Sequence, residues 1–300
     1  MITQVADLLD GGLQTFELDT GLCGVETGLV HVATLHTYPI KGGHRLDHDA
    51  AGVEPWGLAG DRRWMIVDPD GIGITQRTAP QLTQLQPVPA ADGLVLTAPG
   101  MPTRTIAAPA DGPKELVRVF ASKPAVPARV ADDSGWFTHL LGRPARLVWL
   151  GDPTARPIQT HALDGDRVSF ADGFPLLLTS TASLAALGDW LIEGGDEPVP
   201  MTRFRPNVVI AGARAWAEDD WLGGRLRIGD TTFRAAKSCA RCVVTTVDQE
   251  TGEVGRQPLR ALGQHRRFEG ALLFGINLIP DIGAGQRGII RVGDVVLAVP

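Results

Sequence analysis

The sequence predicts a mainly β protein with a few helices (α+β): an N-terminal β-barrel-like domain followed by a second β-barrel domain. Three observations carry that prediction. The 36 glycines and 22 prolines are spread along all 300 residues, which punctuates the chain into short elements. Runs in which apolar and polar residues alternate, rich in β-branched types, recur between those breaks. Only two segments carry a helical stripe with a capping residue ahead of it. The length supports about two domains with real cores. The boundary is expected near residue 150, giving an acidic lead-in over 1–28, a first domain over 29–150 and a second over 151–300.

From Gly28 to Ile40 the alternating run GLVHVATLHTYPI reads as a half-buried strand. RRWMIVDPDGIGITQR (62–77) reads as strand, Pro-Asp-Gly turn and strand, and PVPAADGLVLTAPG (87–100) as a hairpin on Asp-Gly. RTIAAP (104–109) and LVRVF (116–120) add strands. DDSGWFTHLLG (132–142) is the first helix: Asp132, Asp133 or Ser134 can cap it, Trp136, Leu140 and Leu141 form the stripe, and Gly142 stops it. ARLVWL (145–150) is a strand and STASLAALGDWLI (180–192) a second helix. Short strands follow in NVVIAG (207–212), RLRIGDTTFRAA (225–236), CVVTTVD (242–248) and IIRVGDVVLAV (289–299), with Gly229-Asp230 and Gly293-Asp294 as turns.

Composition excludes several function classes. The 28 basic and 34 acidic residues leave a net charge of −6, with no dense basic stripe, so no nucleic-acid partner is expected. No run approaches the ~20 apolar residues of a spanning helix, and no membrane association is expected. The first cation is Lys41, and acidic residues such as Asp7, Asp10, Glu17 and Asp19 come earlier, unlike a secretory or mitochondrial leader. A cytoplasmic location follows as an expectation. The three cysteines, Cys23, Cys239 and Cys242, cannot build a disulfide framework.

Two of them form C-x-x-C in KSCARCVVTTVDQETGE (237–253). Both are compatible with small buried hydrophobes. A structural zinc site needs four ligands, and none of the seven histidines completes the pair nearby. A thioredoxin-type pair must open a helix, whereas VVTTV reads as β. Three cysteines fall short of the four thiolates of an iron–sulfur cluster. What remains is one thiolate on a soft metal held mainly by a cofactor. Arg241, Lys237 and Arg234 favour the thiolate and would equally attract a phosphate.

YPIKG (38–42), GDRRW (60–64), ADGFPLLLTSTASL (171–184), RFRPNVVI (203–210), CARCVVTTVD (239–248) and RVGDVV (291–296) occur in this order. Together they resemble the MOSC-domain proteins. Within these, they resemble the group with an N-terminal MOSC β-barrel domain, to which the mitochondrial amidoxime reducing component and YcbX-type proteins belong. The resemblance spans about residues 29–299. It implies a molybdenum cofactor, a pyranopterin dithiolene whose metal takes one protein thiolate, and it implies no pyridoxal phosphate. The ligand position falls on Cys242, with Cys239 as the alternative. By the same resemblance Lys41, Arg62, Arg205 and Asn207 are cofactor-binding. Arg241 and Cys239 stand beside them, and Gly173 replaces a hydroxyl residue, so that only its backbone can make the contact. Gly42 stands where relatives carry Ser.

The activity implied is reduction of N-hydroxylated substrates (amidoximes, hydroxylamines, N-hydroxylated bases). Electrons would come from a separate flavoprotein or iron–sulfur protein. The alternative is a molybdenum-cofactor or sulfur carrier working through Cys239 or Cys242. A third reading is a non-enzymatic binding module. No histidine is placed as general acid; water or Asp248 would serve, although Asp248 can equally be the polar end of its segment.

Overall fold

The computed structural model describes residues 29–283 and 285–299; the lead-in and Cys23 lie outside the described residues. Among the described residues there are nineteen strands and three α-helices, so the mainly β expectation is met. The largest sheet has nine strands. Their order is Val296–Val299, Arg225–Ile228, Thr231–Ala240, Ala271–Pro280, Leu176–Ser180, Val208–Ala211, His31–Thr37 and Leu46–His48, with Arg267–Phe268 paired to Ala271–Pro280. Three smaller sheets have four, three and three strands. The strand ladders alone form no closed ring among the described residues. An antiparallel bridge between His31 and Val295 nevertheless brings the first strand against the segment entering the edge strand Val296–Val299. There the Val32 N–H donates to Asp294 O (2.9 Å) and the Val296 N–H to Val30 O (2.8 Å), so the large sheet curls back on itself in a barrel-like way.

The first strand, His31–Thr37, pairs antiparallel with Val208–Ala211, so the start of the described chain is stitched to its second half. Gly288–Arg291 likewise pairs with Ala50–Glu54. Val32, Leu35, Val53, Leu178, Ile210, Phe233, Ile276 and Leu278 form one buried cluster under this sheet. Burying each such side chain is worth about 1.5–3 kcal/mol. A second cluster around Ile40, Trp64, Ile66, Leu82, Leu96, Phe137 and Leu147 serves the smaller sheets.

Three expectations are corrected. CVVTTVD is not a strand: Val243–Thr246 is a 3₁₀ turn, in which Thr245 donates to the Cys242 carbonyl through its N–H (3.0 Å) and Oγ1 (2.9 Å) and Thr246 Oγ1 donates to Val243 O (2.8 Å). The hydroxyls satisfy carbonyls locally and outweigh β propensity. The helix expected from residue 132 begins only at Trp136, because Asp132 is spent on Arg104 and the Ser134 N–H. The second arm of the 62–77 hairpin makes only isolated bridges, Val67 with Gly73 and Ile72 with Arg118.

Several elements were not predicted, among them the long strand Ala271–Pro280, the strands Val126–Asp132, Ala50–Glu54 and Leu176–Ser180 and the helix Leu259–His265. An apolar run such as ALLFGINLIP has no period that separates a buried strand from a helix. Its Gly275 has φ +75°, and a Cβ there would lie 2.5 Å from the Leu178 carbonyl oxygen on the neighbouring strand. Gly275→Ala is therefore expected to cost ~3 kcal/mol of stability, read by chemical denaturation; a change below about 1 kcal/mol would mean the two strands pack otherwise.

Candidate functional site

Two loops and two strand ends converge where the halves of the chain meet. After His31–Thr37, residues 38–41 leave the main sheet and run beside Trp64, where the Lys41 N–H donates to Trp64 O (2.8 Å). The Arg62 N–H donates to Tyr38 O (2.8 Å) and the Phe170 N–H to Arg62 O (2.9 Å), which ties in the loop that carries Ala171, Asp172 and Gly173. The Asn207 N–H donates to Leu177 O (2.9 Å), at the start of Val208–Ala211. The fourth wall is the end of Thr231–Ala240 and the 3₁₀ turn behind it, which carry Cys239, Arg241 and Cys242.

These elements enclose a cavity of about 380 Å³. All eight expected site residues line it: Lys41, Arg62, Gly173, Arg205, Asn207, Cys239, Arg241 and Cys242. Seven cationic side chains line it against one carboxylate, Asp172. Asp248 is not in its wall. That carboxylate accepts from Arg203 (3.1 Å) and from the Glu250 and Thr251 N–H groups (2.9 Å each). Burial alone would raise it, but these donors prevail and its pKa is lowered, so it is the polar anchor of a turn and not an acid.

The inner cations are held by fixed partners. Arg62 donates to Asp61 (2.5 Å) and to Asn207 Oδ1 (3.2 Å). Arg205 donates to Gln249 Oε1 and to Gly43 O, both at 2.8 Å. The Arg62 and Arg205 guanidinia lie 4.5 and 4.1 Å from the ring centroid of Tyr38, the only tyrosine of the chain. The aromatic ring offers each a cation–π contact worth about 2 kcal/mol when desolvated. Tyr38 itself donates to Pro206 O (3.0 Å), and burial pushes its hydroxyl up to about 12. Burial also lowers Arg205 to about 10, while for Arg62 burial works in the same direction but Asp61 carries it upward.

Both arginines sit at positive φ, 49° for Arg62 and 55° for Arg205. Such backbone costs on the order of 1–3 kcal/mol and persists where surrounding contacts dictate it. Asn207 is fully buried and occupied with protein: Oδ1 accepts from the Leu177 N–H (3.2 Å) as well as Arg62, and Nδ2 donates to His36 O (3.2 Å). It is a strut that fixes Arg62 while lining the cavity wall. Gly42 has φ +84°, in the left-handed region that favours glycine. Its carbonyl accepts from Gln76 (2.8 Å). A Cβ on Gly173 would meet nothing within 4 Å.

Several cavity residues escape sequence reasoning. Lys41 forms an ion pair with Asp172, whose other oxygen lies 3.7 Å from Arg77. The Lys41 side chain is 7% exposed and that of Asp172 59%, because the carboxylate faces the open cavity. Burial therefore removes more from Lys41 than Asp172 returns, and the ammonium falls to about 8. For Asp172 burial works upward, but Lys41, with Arg77 and Arg62 behind it, holds the carboxyl at about 2. Arg156 fixes this loop from below by donating to the carbonyls of Ser169, Ala171 (2.7 Å) and Asp172 (3.2 Å).

Each thiol faces its own guanidinium. Arg77 Nη2 lies 3.2 Å from Cys242 Sγ, and Arg241 Nη1 lies 2.8 Å from Cys239 Sγ. Arg241 is held by Phe204 O (2.7 Å). Cys239 ends a strand and Cys242 caps a four-residue 3₁₀ turn, so the pair opens no helix of the kind a disulfide oxidoreductase needs.

The MOSC domain family matches residues 165–297, and the MOSC N-terminal beta barrel domain family matches residues 29–144. Mitochondrial amidoxime-reducing component 1 of Xenopus laevis is 30% identical over 292 residues, covering 89% of this chain and 82% of that protein. The Homo sapiens protein of the same name is 31% identical over 290 residues, covering 88% and 82%. Molybdenum cofactor sulfurase of Oryza sativa subsp. japonica is 28% identical over 279 residues, which is 86% of this chain and 34% of that protein.

The Lys41 shift sets a pH dependence with two opposite signs. The group titrates at 10.5 when unperturbed and at about 8 in the fold, so between those values the unfolded chain holds more protons. Lys41 therefore adds stability as pH rises across that window. Its charge is lost over the same window, so the affinity of the ligand-free protein for inorganic pyrophosphate is expected to fall as pH rises through about 8. Calorimetric titration should show that step in the wild type and not in Lys41→Met. A step that survives the substitution would assign it to another group.

Proposed function

The chain belongs to the family of MOSC proteins that carry an N-terminal MOSC β-barrel domain, and from that premise we propose that it is a molybdenum-cofactor oxidoreductase that reduces N-hydroxylated compounds. Amidoximes, hydroxylamines and N-hydroxylated bases are the substrate class, and a separate flavoprotein or iron–sulfur protein is the electron donor. Residues 29–150 and 151–300 are its two domains, and its location is cytoplasmic. Among the described residues no helix is long and apolar enough to cross a membrane.

The observation that carries this reading is a single cavity in which seven cations surround one carboxylate and a thiol on the wall faces a guanidinium. The residues fit a phosphate-bearing metallopterin. Lys41 is buried beside a single carboxylate, and Arg241 Nε is buried with no hydrogen-bond partner. Among the described residues no group of three or more His, Cys, Asp or Glu side chains could hold a metal ion. A metal here would take one ligand from Cys242 and the rest from its pterin and solvent.

When bound, that group would supply the two-electron chemistry, in which an amidoxime, two electrons and two protons give the amidine and water as the N–O bond breaks. The chain supplies the setting. The thiolate is the metal-binding form of cysteine, and Arg77 places positive charge against the Cys242 sulfur. Lys41, Arg62 and Arg205 present charge to phosphate or pterin oxygens, and Arg241 brings its free Nε to the same wall. Asp172 is ionised at neutral pH, so it orients an N–H or O–H donor of the substrate and does not supply the proton. Protons come from solvent through the open side of the cavity. Cys239, held by Arg241, keeps a sulfur-carrier reading alive as the second possibility, and the sulfurase relative matches that role.

Protein from a molybdenum-replete host is expected to hold one metal and to reduce benzamidoxime with a viologen donor. Cys242→Ser should lose both, whereas Cys239→Ser should keep the metal. Absence of metal from the wild type, with cyanide-labile sulfur on a cysteine, would overturn this reading in favour of the carrier.

A further inference from the structure

The chain contains only four lysines among its 28 basic residues, and three of them, Lys41, Lys123 and Lys237, line this same cavity. Lys41 is committed to Asp172 and its backbone lies within the seam. The arginines are committed too: Arg62 to Asp61, Arg77 to Asp172 and Cys242, Arg205 to Gln249 and Gly43, Arg241 to Phe204 and Cys239. Lys123 and Lys237 differ. Among the described residues, the cavity's single carboxylate pairs with Lys41 and Arg77 and with neither of these two.

They reach the cavity from different elements. Lys123 closes a tight turn by donating its N–H to Phe120 O (2.9 Å), and the Phe120 ring lies under Arg77 (4.7 Å) and Lys41 (5.2 Å). Lys237 is exposed where the ladder to Ala271–Pro280 slips register, between Ala235 and Lys237 and again between Ser238 and Ala240. Asn277 Nδ2 steadies that slip by donating to Lys237 O (3.3 Å). Among the described residues, Lys123 and Lys237 are the cavity cations whose side chains make no hydrogen bond or ion pair within the protein, which leaves them for an anionic group other than the one the inner cations would hold. An ammonium on a flexible stem suits a group that arrives and leaves, whereas a guanidinium fork suits one held in place. Phe120 and Phe174, which also line the cavity, offer flat apolar walls beside that charge.

We propose that Lys123 and Lys237 form a substrate-selecting rim, and that the substrates of this site are planar N-hydroxylated compounds carrying their own carboxylate or phosphate. The proposal rests on the reductase reading above and names its substrate class. An additional phosphate on a nucleotide-extended pterin would carry the same charge, so the test separates the two sources.

Molybdenum-loaded wild type should be assayed with benzamidoxime and with 4-carboxybenzamidoxime, using a viologen donor at low and high ionic strength. The expected result is a kcat/KM about ten-fold higher for the carboxylate at low salt, carried by KM and shrinking with salt, as for partly exposed ion pairs. In Lys123→Gln/Lys237→Gln the ratio of the two kcat/KM values should fall to about one, and the cofactor released from the wild type should carry one phosphate and no nucleotide by mass spectrometry. Equal kcat/KM values in the wild type would overturn the substrate class and leave the reductase reading intact. A preference that survives the double substitution, or a nucleotide-extended cofactor, would overturn the assignment of the rim. Failure to reduce either compound would overturn the reductase reading itself.

Discussion

Positive charge buried at one seam is the constraint on which this structure turns. Lys41, Arg205 and Arg156 are all under 10% exposed, and Arg62 lies among them. An isolated buried cation is expensive, and the compensation must be local and geometrically fixed. Asp61 and Asp172 supply two negative charges; the remaining compensation is carbonyl oxygens, a glutamine oxygen and the face of Tyr38. The fold is arranged to deliver those acceptors. The Gly43 carbonyl meets Arg205, and the carbonyls of Ser169 and Ala171 meet Arg156. The left-handed backbone at Arg62 and Arg205 belongs to the same arrangement, because it turns two long side chains inward onto one ring.

That arrangement also explains why the halves of the chain are inseparable at the site. Asn207, on the second half, fixes Arg62 from the first, while the first strand pairs with the strand that Asn207 opens. A cavity built this way is polarised before any ligand enters, which lowers the reorganisation needed to take up an anion. The net charge of −6 conceals this completely, since the acidic residues lie elsewhere and the cations are concentrated in one volume.

Much of this was legible in the sequence, and the reasons are uneven. The strand His31–Thr37 and the hairpin of Gln86–Ala90 with Gly93–Thr97 follow from alternation and turn chemistry, which are local signals. The central strand Ala271–Pro280 carries no such signal, because both its faces are covered and its apolar run has no period. VVTTV misleads because threonine hydroxyls bond their own backbone, a preference that β propensity does not include. At the site, the eight residues found by ordered motifs all line the cavity, but the motifs could not assign their duties. Asn207, expected to meet a ligand, lines the cavity and also braces Arg62. Asp172 stood inside a quoted motif and went unread, since only the fold brings it to Lys41, 131 residues away in sequence. Arg156 and Arg77 had no local signal, because each acts on a segment distant in sequence.

The two cysteines, alike in sequence, sit against different guanidinia: Cys239 against an arginine of its own motif, Cys242 against Arg77, 165 residues away in sequence. That asymmetry is the core of the functional account, which gives the metal to Cys242. X-ray absorption at the molybdenum edge tests it most directly. The account predicts the two dithiolene sulfurs plus one further sulfur in the wild-type protein and in Cys239→Ser. An unchanged sulfur count in any metal retained by Cys242→Ser, or loss of the third sulfur in Cys239→Ser, would contradict it.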